Sequence, residues 1–156
     1  VVRNAGNIVP PYAIAPGGVS ASIEYAVAIL KVPDIIICGH SGCGAMTAIL
    51  NGEEKLQALP EVARWLSFAD AAKQTLTEHY ASRPDHEKLD LLVRGNVLAQ
   101  LANLLTHPVV ANAVQAREVR LHGWVFDIAT ATVKTYDAEA EEFVPLTQSS
   151  FIGEKS

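Results

Sequence analysis

The stretch Asp34-Ile35-Ile36-Ile37-Cys38-Gly39-His40-Ser41-Gly42-Cys43-Gly44 decides how this chain is read. Asp34 to Cys38 reads as a strand. Its unbroken isoleucine run, rather than an alternating one, predicts a central parallel strand covered on both faces. A tight glycine-rich turn follows, and from Gly44 the residues through Met46 and Ile49-Leu50 read as a helix that ends at Asn51-Gly52. Strand, turn and helix in this order place ligands at the carboxyl edge of a parallel sheet. The glycines let the backbone bring the His40 and Cys43 side chains toward one point.

An imidazole and a thiol three positions apart make half of a zinc site, because zinc takes four ligands and a catalytic centre commonly draws three from protein. The residues after Cys43 open a helix, whose free N–H groups and dipole favour a thiolate there. A buried structural Cys beside a His that bonds only backbone fits the same residues, and the spacing does not choose between the two readings. Cys38 is the nearest further thiol. If the strand extends that far it shares a face with His40, but roughly 7 Å along the strand separates their Cβ atoms, so Cys38 is expected to fill core. His79 and His86, near a charged break, are expected to be solvated. His107 precedes a proline at a helix junction, where a cap or backbone contact is expected, and His122, in an apolar strand, reads as a satisfied buried imidazole. Glu53-Glu54 and Glu139, Glu141 and Glu142 read as solvated edges. There is no Gly-x-Gly-x-x-Gly phosphate fingerprint.

Upstream, Val1-Val2 reads as the tail of a strand, and Pro10, Pro11, Pro16, Gly17 and Gly18 keep the backbone irregular. A helix is expected from Ser20 as N-cap, with Val19, Ile23, Ala26, Val27 and Leu30 on one face, Lys31 at its end and Pro33 stopping it. Downstream, one helix is expected from Pro60 to about Tyr80, broken at Ser82-Arg83-Pro84-Asp85, and a longer amphipathic one carries Leu89, Leu92, Val93, Val97, Leu101, Leu104 and Leu105. Thr106-His107-Pro108 ends that helix and opens the next, with Pro108 at the first helical position. Val119 to Ile128 and Val133 to Val144 read as two strands joined near Ala129-Thr130. The fold class is therefore α/β, a mainly parallel sheet flanked by helices with an antiparallel hairpin at one edge.

The chain has 156 residues, enough for one domain, and 49% hydrophobic residues can bury a sizeable core. Glu24, Lys31 and Asp34 interrupt the most apolar region, so no membrane span is expected. A net charge of -5 with scattered Lys and Arg argues against a nucleic-acid partner. Two cysteines five positions apart make a poor disulfide framework, which favours a reducing home, the cytoplasm first and an organelle or microcompartment as the alternative. The opening Val1-Val2-Arg3-Asn4 carries no initiator methionine and reads as mid-fold, so the expectation is one domain over 1–156, incomplete at its N-terminus.

Several separated blocks together resemble the β-class carbonic anhydrases of the bacterial and plant-type branch. They are Val2-Arg3-Asn4-Ala5-Gly6-Asn7, Gly18-Val19-Ser20-Ala21-Ser22-Ile23-Glu24-Tyr25-Ala26-Val27 and Cys38-Gly39-His40-Ser41-Gly42-Cys43-Gly44-Ala45-Met46. Asn96-Val97-Leu98-Ala99-Gln100-Leu101, Thr106-His107-Pro108 and Leu121-His122-Gly123-Trp124-Val125-Phe126-Asp127 continue the match in order.

The resemblance implies zinc-dependent, reversible hydration of carbon dioxide to bicarbonate and a proton, with one zinc per subunit held by two Cys and one His. His40 and Cys43 match two of those ligands. Tyr25 matches an aromatic wall of the carbon dioxide pocket, Ala5 a small apolar position in it, and Gly44 the residue whose backbone N–H lies beside substrate. Arg3 and Asn4 are expected to be structural. The family's first ligand, a Cys in a Cys-x-Asp-x-Arg motif whose Asp and Arg pair beside the metal, has no match here. It is expected upstream of Val1, and no catalytic residue is assigned within this chain. Phe126 stands where some relatives carry a tyrosine associated with a regulatory bicarbonate site. A homodimer or larger homo-oligomer is implied, with Val19 to Leu30 at the interface. Two alternatives remain: a zinc-free structural or assembly form without activity, and an enzyme of the same fold acting on carbon disulfide or a similar small electrophile.

Overall fold

Strand β1 (Asp34–His40) turns Ile35, Ile37 and Gly39 to one side and Ile36, Cys38 and His40 to the other. It pairs in parallel with β2 (Arg120–Asp127), in register from Asp34 opposite Arg120 to His40 opposite Phe126. Strand β2 is antiparallel to β3 (Thr132–Asp137), and β3 to β4 (Glu142–Pro145), so the four-stranded sheet runs β1-β2-β3-β4. The computed structural model describes residues 1–14, 17–52, 56 and 58–146. Pro16 and Glu53-Glu54 lie outside them.

The helices are α1 (Gly18–Ala28), α2 (Gly44–Leu50), α3 (Pro60–Leu66), α4 (Asp70–Tyr80), α5 (Asp85–Leu105) and α6 (Pro108–Gln115). Helix α5 packs on one face of the sheet. The approach is close because two glycines permit it. A Cβ at Gly39 would lie 2.9 Å from Val97 Cγ2 and 3.1 Å from Val93 Cγ1, and one at Gly123 would lie 3.0 Å from both Val97 Cγ1 and Leu101 Cδ1. Val97 is fully buried between them, in a core shared with Ile8, Met46, Leu66, Leu92 and Leu104.

The α/β class and the edge hairpin are present, with helices against a mixed sheet whose parallel pair is β1 with β2. Several details differ from the sequence expectation. Strand β1 is covered on one face, not both: Ile36 is 43% exposed, and Cys38 and His40 are exposed too. The isoleucine run reports apolar character on both sides, but α5 lies against only one of them. Cys38 is consequently not a core residue. Val1 and Val2 form no strand and are exposed. Helix α1 starts at Gly18 with Gly17 as its cap, two residues before Ser20, because the Gly17 carbonyl already accepts the Ala21 N–H (3.0 Å). Leu30 lies past its end, 60% exposed, where Lys31 takes a left-handed φ of 52°.

The segment from Pro60 to Tyr80 is two helices with a 3-10 turn, Ser67–Ala69, between them. The break follows from diverted carbonyls: Ser67 Oγ donates to Arg64 O (2.8 Å), and Gln100 Nε2 donates to Phe68 O (3.0 Å). Val133 to Val144 is likewise two strands. Asp137 Oδ1 accepts the Glu139 and Ala140 N–H groups at 2.9 and 3.1 Å, and Glu141 closes the turn at φ 54°. The preceding hairpin repeats the device, with Asp127 Oδ1 accepting Thr130 N–H (2.9 Å) and Ala131 at φ 53°. The junction of α5 and α6 bends by 90° with Pro108 at the start of α6. Among the described residues no single helix is long and apolar enough to cross a membrane.

Candidate metal centre

The β1–α2 turn is stitched to the next strand. Beyond the last paired residues, His40 and Phe126, Ser41 N–H donates to Phe126 O (2.9 Å), and Ser41 Oγ accepts the Ile128 N–H (2.9 Å). Gly42 then adopts φ +65°, a left-handed conformation that a glycine takes without steric cost. Cys43, extended at φ -60° and ψ 117°, directly precedes α2, and its carbonyl accepts both the N–H and the hydroxyl of Thr47 at 2.9 Å.

His40 is exposed, and its Nδ1 lies 2.9 Å from Ser41 O. A carbonyl only accepts, so Nδ1 donates in this bond, and in the neutral ring that leaves Nε2 the lone pair a metal-binding imidazole needs. Cys43 is 4% exposed. One imidazole nitrogen and one sulfur form a donor set that suits zinc. They are two candidate donors: among the described residues no three of His, Cys, Asp and Glu come together in a metal-binding group. Cys38, expected in the core, lies exposed on the sheet face that also carries His40, with Sγ donating to Gly39 O at 3.5 Å. Partial burial pushes its thiol up from the usual range.

The 3-10 turn Ala5–Asn7 packs at the same end of the sheet. A Cβ on Gly6 would lie 3.1 Å from Met46 Cε in α2, and Asn7 Oδ1 would lie 3.7 Å from one on Gly39. Asn4 closes this loop on both groups of Ile8, its Oδ1 accepting the N–H at 2.7 Å and its Nδ2 donating to the carbonyl at 2.9 Å, which makes it structural. Ala5 is exposed, and its carbonyl accepts the Trp65 indole N–H (2.9 Å). Gly44 is exposed at the start of α2, and a Cβ there would meet nothing within 4 Å. The fold thus brings His40, Cys43, Gly44 and Ala5 to one end of the sheet. Tyr25 stands apart on α1, 57% exposed, on a helix that packs against α6.

The other histidines behave differently. His79 and His86 are exposed. His107 is 2% exposed with Nε2 2.9 Å from Pro10 O, the backbone contact expected of it. His122 is half-buried and bonds a carboxylate, Asp34 Oδ1, at 2.8 Å. Asp34 also takes Arg120 Nε at 2.8 Å and Nη2 at 2.9 Å. This cluster sits at the starts of β1 and β2, at the far end of the sheet from His40. The Arg120 guanidinium, helped by His122 and opposed by burial, brings the Asp34 carboxyl down to about 2.

Two surface grooves, of about 360 and 520 Å³, lie elsewhere. The first is walled by Ile49, Pro60 and Leu66, the second by Pro10, Val19, Trp65 and Phe68, and neither includes His40 or Cys43. Chemistry, not concavity, marks the candidate metal centre. Sequence reasoning did not single out Asn7 and Trp65 beside the centre, nor Asn96 and Gln100 behind it. The legible signal was an Asn and a Gln four apart, a helical spacing within the apolar face of α5.

Residues 1–133 match the family model described as carbonic anhydrase. The chain is 53% identical over 149 residues to a carbonic anhydrase of Pseudomonas aeruginosa, covering 95% of this chain and 66% of that protein. Among solved structures it is similar to the β-carbonic anhydrase CcaA, with a TM-score of 0.90 and 37% identity over 94% of this chain and 66% of that one. It is also similar to a structure described under tetrameric β-carbonic anhydrases from Sordaria macrospora, with a TM-score of 0.74 and 32% identity over 86% of this chain and 66% of that one. The chain therefore spans a little under two thirds of the length of each of these three relatives. The fold, the His40–Cys43 turn and these likenesses agree: the chain belongs to the β-carbonic anhydrase family.

Proposed function

We infer that the protein catalyses the reversible hydration of carbon dioxide to bicarbonate and a proton, with His40 and Cys43 as two of the protein ligands of a zinc ion. The observation that carries this is the hydrogen bond that fixes the His40 ring beside Cys43 in one turn. Its Nδ1 is bonded to Ser41 O, which leaves Nε2 as the nitrogen for a metal, on the same short turn as a buried thiol. Zinc, when bound, supplies activation of water for attack on carbon dioxide near neutral pH. The chain's own residues orient and enclose. Ser41 ties the turn to β2, so the imidazole is held by two strands. Gly44, with open space at its α carbon, lets a small substrate approach a helix-start N–H that no earlier turn occupies. Ala5 supplies a small apolar surface beside it.

Tyr25 joins this pocket only through assembly. Its exposure on α1, beside exposed Ile29, suits a homo-oligomer in which that helix face meets a second copy. The structural relative described as tetrameric supports that reading. Two free thiols suit a cytoplasmic location.

Stopped-flow carbon dioxide hydration by the full-length protein, with zinc determined per subunit, is the test. One zinc per subunit with hydration abolished by chelation is expected, and both are lost in His40→Ala and Cys43→Ser. Retention of zinc and hydration in either variant refutes the ligand assignment. A zinc-free, inactive but well-assembled protein establishes the structural alternative, and faster turnover of carbon disulfide than of carbon dioxide establishes the other.

A further inference from the structure

Behind the metal centre, the middle of α5 carries a run of buried amides where its apolar stripe would otherwise continue. Asn96 and Gln100 are both fully buried. Asn96 Nδ2 donates to Gly6 O (2.8 Å), and its Oδ1 accepts from Gln100 Nε2 (2.9 Å). Gln100 Oε1 accepts the Val9 N–H (2.9 Å) and Asn103 Nδ2 (3.1 Å), and Asn103 Nδ2 also donates to Val9 O (2.9 Å). Thr106 Oγ1 accepts the Tyr12 N–H (2.9 Å). Three side chains of α5 and the Thr106 that caps it thereby grip the backbone of an irregular segment 90 to 94 positions away.

That segment includes two residues in the left-handed region, Gly6 at φ 76° and Asn7 at φ 45°. Asparagine tolerates that region but does not prefer it, so such a turn persists only where its surroundings over-determine it. The turn lies against α2 and Gly39, with Ala5 at its head. Asn7 Nδ2 is buried there without a hydrogen-bond partner, so a displaced turn would change both the apolar wall and the donor it presents.

We propose that the Asn96–Gln100 ladder of α5 is a positioning device that holds the left-handed Gly6–Asn7 turn, and with it Ala5 and the Asn7 amide, against the His40–Cys43 loop. Asn96 touches neither metal nor substrate and acts through the Gly6 carbonyl. The proposal deepens the carbonic anhydrase reading in its kinetic part and stands apart from it in its structural part.

Trp65 reports on the turn, because its indole N–H donates to Ala5 O. The chain has two tryptophans, so Trp124→Phe assigns the resonance. In full-length protein, Asn96→Leu is expected to shift the Trp65 indole N–H signal and to speed amide exchange at Ile8 and Val9 about tenfold, the worth of one lost hydrogen bond. Exchange at Val125 in the sheet stays near wild type. In the zinc-loaded enzyme kcat/KM falls about tenfold or more, as misplacement by a fraction of an ångström can cause, with zinc content unchanged. Asp34→Asn, which loosens the far end of the sheet, is the comparator and leaves the Trp65 signal in place. Gln100→Met is the second ladder variant. An unmoved Trp65 signal, or exchange rising equally at Ile8, Val9 and Val125, overturns the proposal, as does failure of both ladder variants to fold. If wild type performs no hydration while Trp65 and the turn amides respond as stated, the positioning role stands and the functional reading falls.

Discussion

Replacing Gly39 by Ala tests whether the approach of α5 to the sheet sets the strand that carries His40. The added methyl would sit 2.9 Å from Val97 Cγ2 and 3.1 Å from Val93 Cγ1. Carbon atoms pack best at about 3.5–4.0 Å, so one of the two elements must retreat by roughly half an ångström. Both valines are β-branched, fully buried and without an alternative rotamer in a helix, so the backbone gives way instead. Overpacking of this kind costs about 1–3 kcal/mol. For a domain of this size that lowers Tm by roughly 2–12 °C. Val97→Ala alone removes two methyl groups and costs about 2 kcal/mol by transfer and cavity terms. Combined with Gly39→Ala it also removes the nearer clash, so the double variant is expected to lie at least about 0.5 kcal/mol above the sum of the singles. Urea unfolding of all four proteins, comparing midpoints at constant m, reads this directly. Strict additivity, or a neutral Gly39→Ala, would show that the strand and helix are not in limiting contact and would remove the reason for a glycine before His40.

Acid should loosen the far end of the sheet. The Asp34 carboxyl is depressed to about 2, so its stabilisation is fully present above the ordinary value of 3.8 and is lost as pH falls from there through 2. Asp34→Asn should flatten that part of the pH–stability curve at a cost of about 1 kcal/mol or less at neutral pH, since the pair with Arg120 is partly exposed. A curve that keeps its acid slope in the variant assigns the effect to other carboxylates. Cys38, exposed but with its thiol pushed up, should alkylate slowly at neutral pH and faster as pH rises above 9. Cys38→Ala should leave zinc content unchanged, and loss of metal there would make Cys38 a ligand after all.

The His40–Cys43 turn was legible because glycine, histidine and cysteine spacing expresses backbone geometry locally: β1, the turn and α2 fall where the residues put them. The Pro108 start of α6 was equally plain, since proline dictates its own position. What escaped was set by distant partners. The Phe68 carbonyl leaves its helix for Gln100, 32 positions on, and no local pattern announces that. Ile36 has the same side chain as Ile37 yet faces the other way, and only the placement of α5 makes one core and the other surface. Trp65 reaches Ala5 across 60 positions, a contact that periodicity cannot contain.

Strand β1 ends the sheet with only β2 beside it among the described residues, and it carries three successive isoleucines. Wherever that border is left uncovered, a strand edge of this composition is an adhesive seam, able to recruit a like segment from a neighbouring molecule. Colloidal behaviour should follow. Like-charge repulsion from the -5 net charge keeps molecules apart in dilute buffer, and added salt, which shortens its reach to about 8 Å at physiological strength, should bring on turbidity. Lysine at Ile36 would then act as a gatekeeper, raising the concentration at which solutions of this chain stay clear.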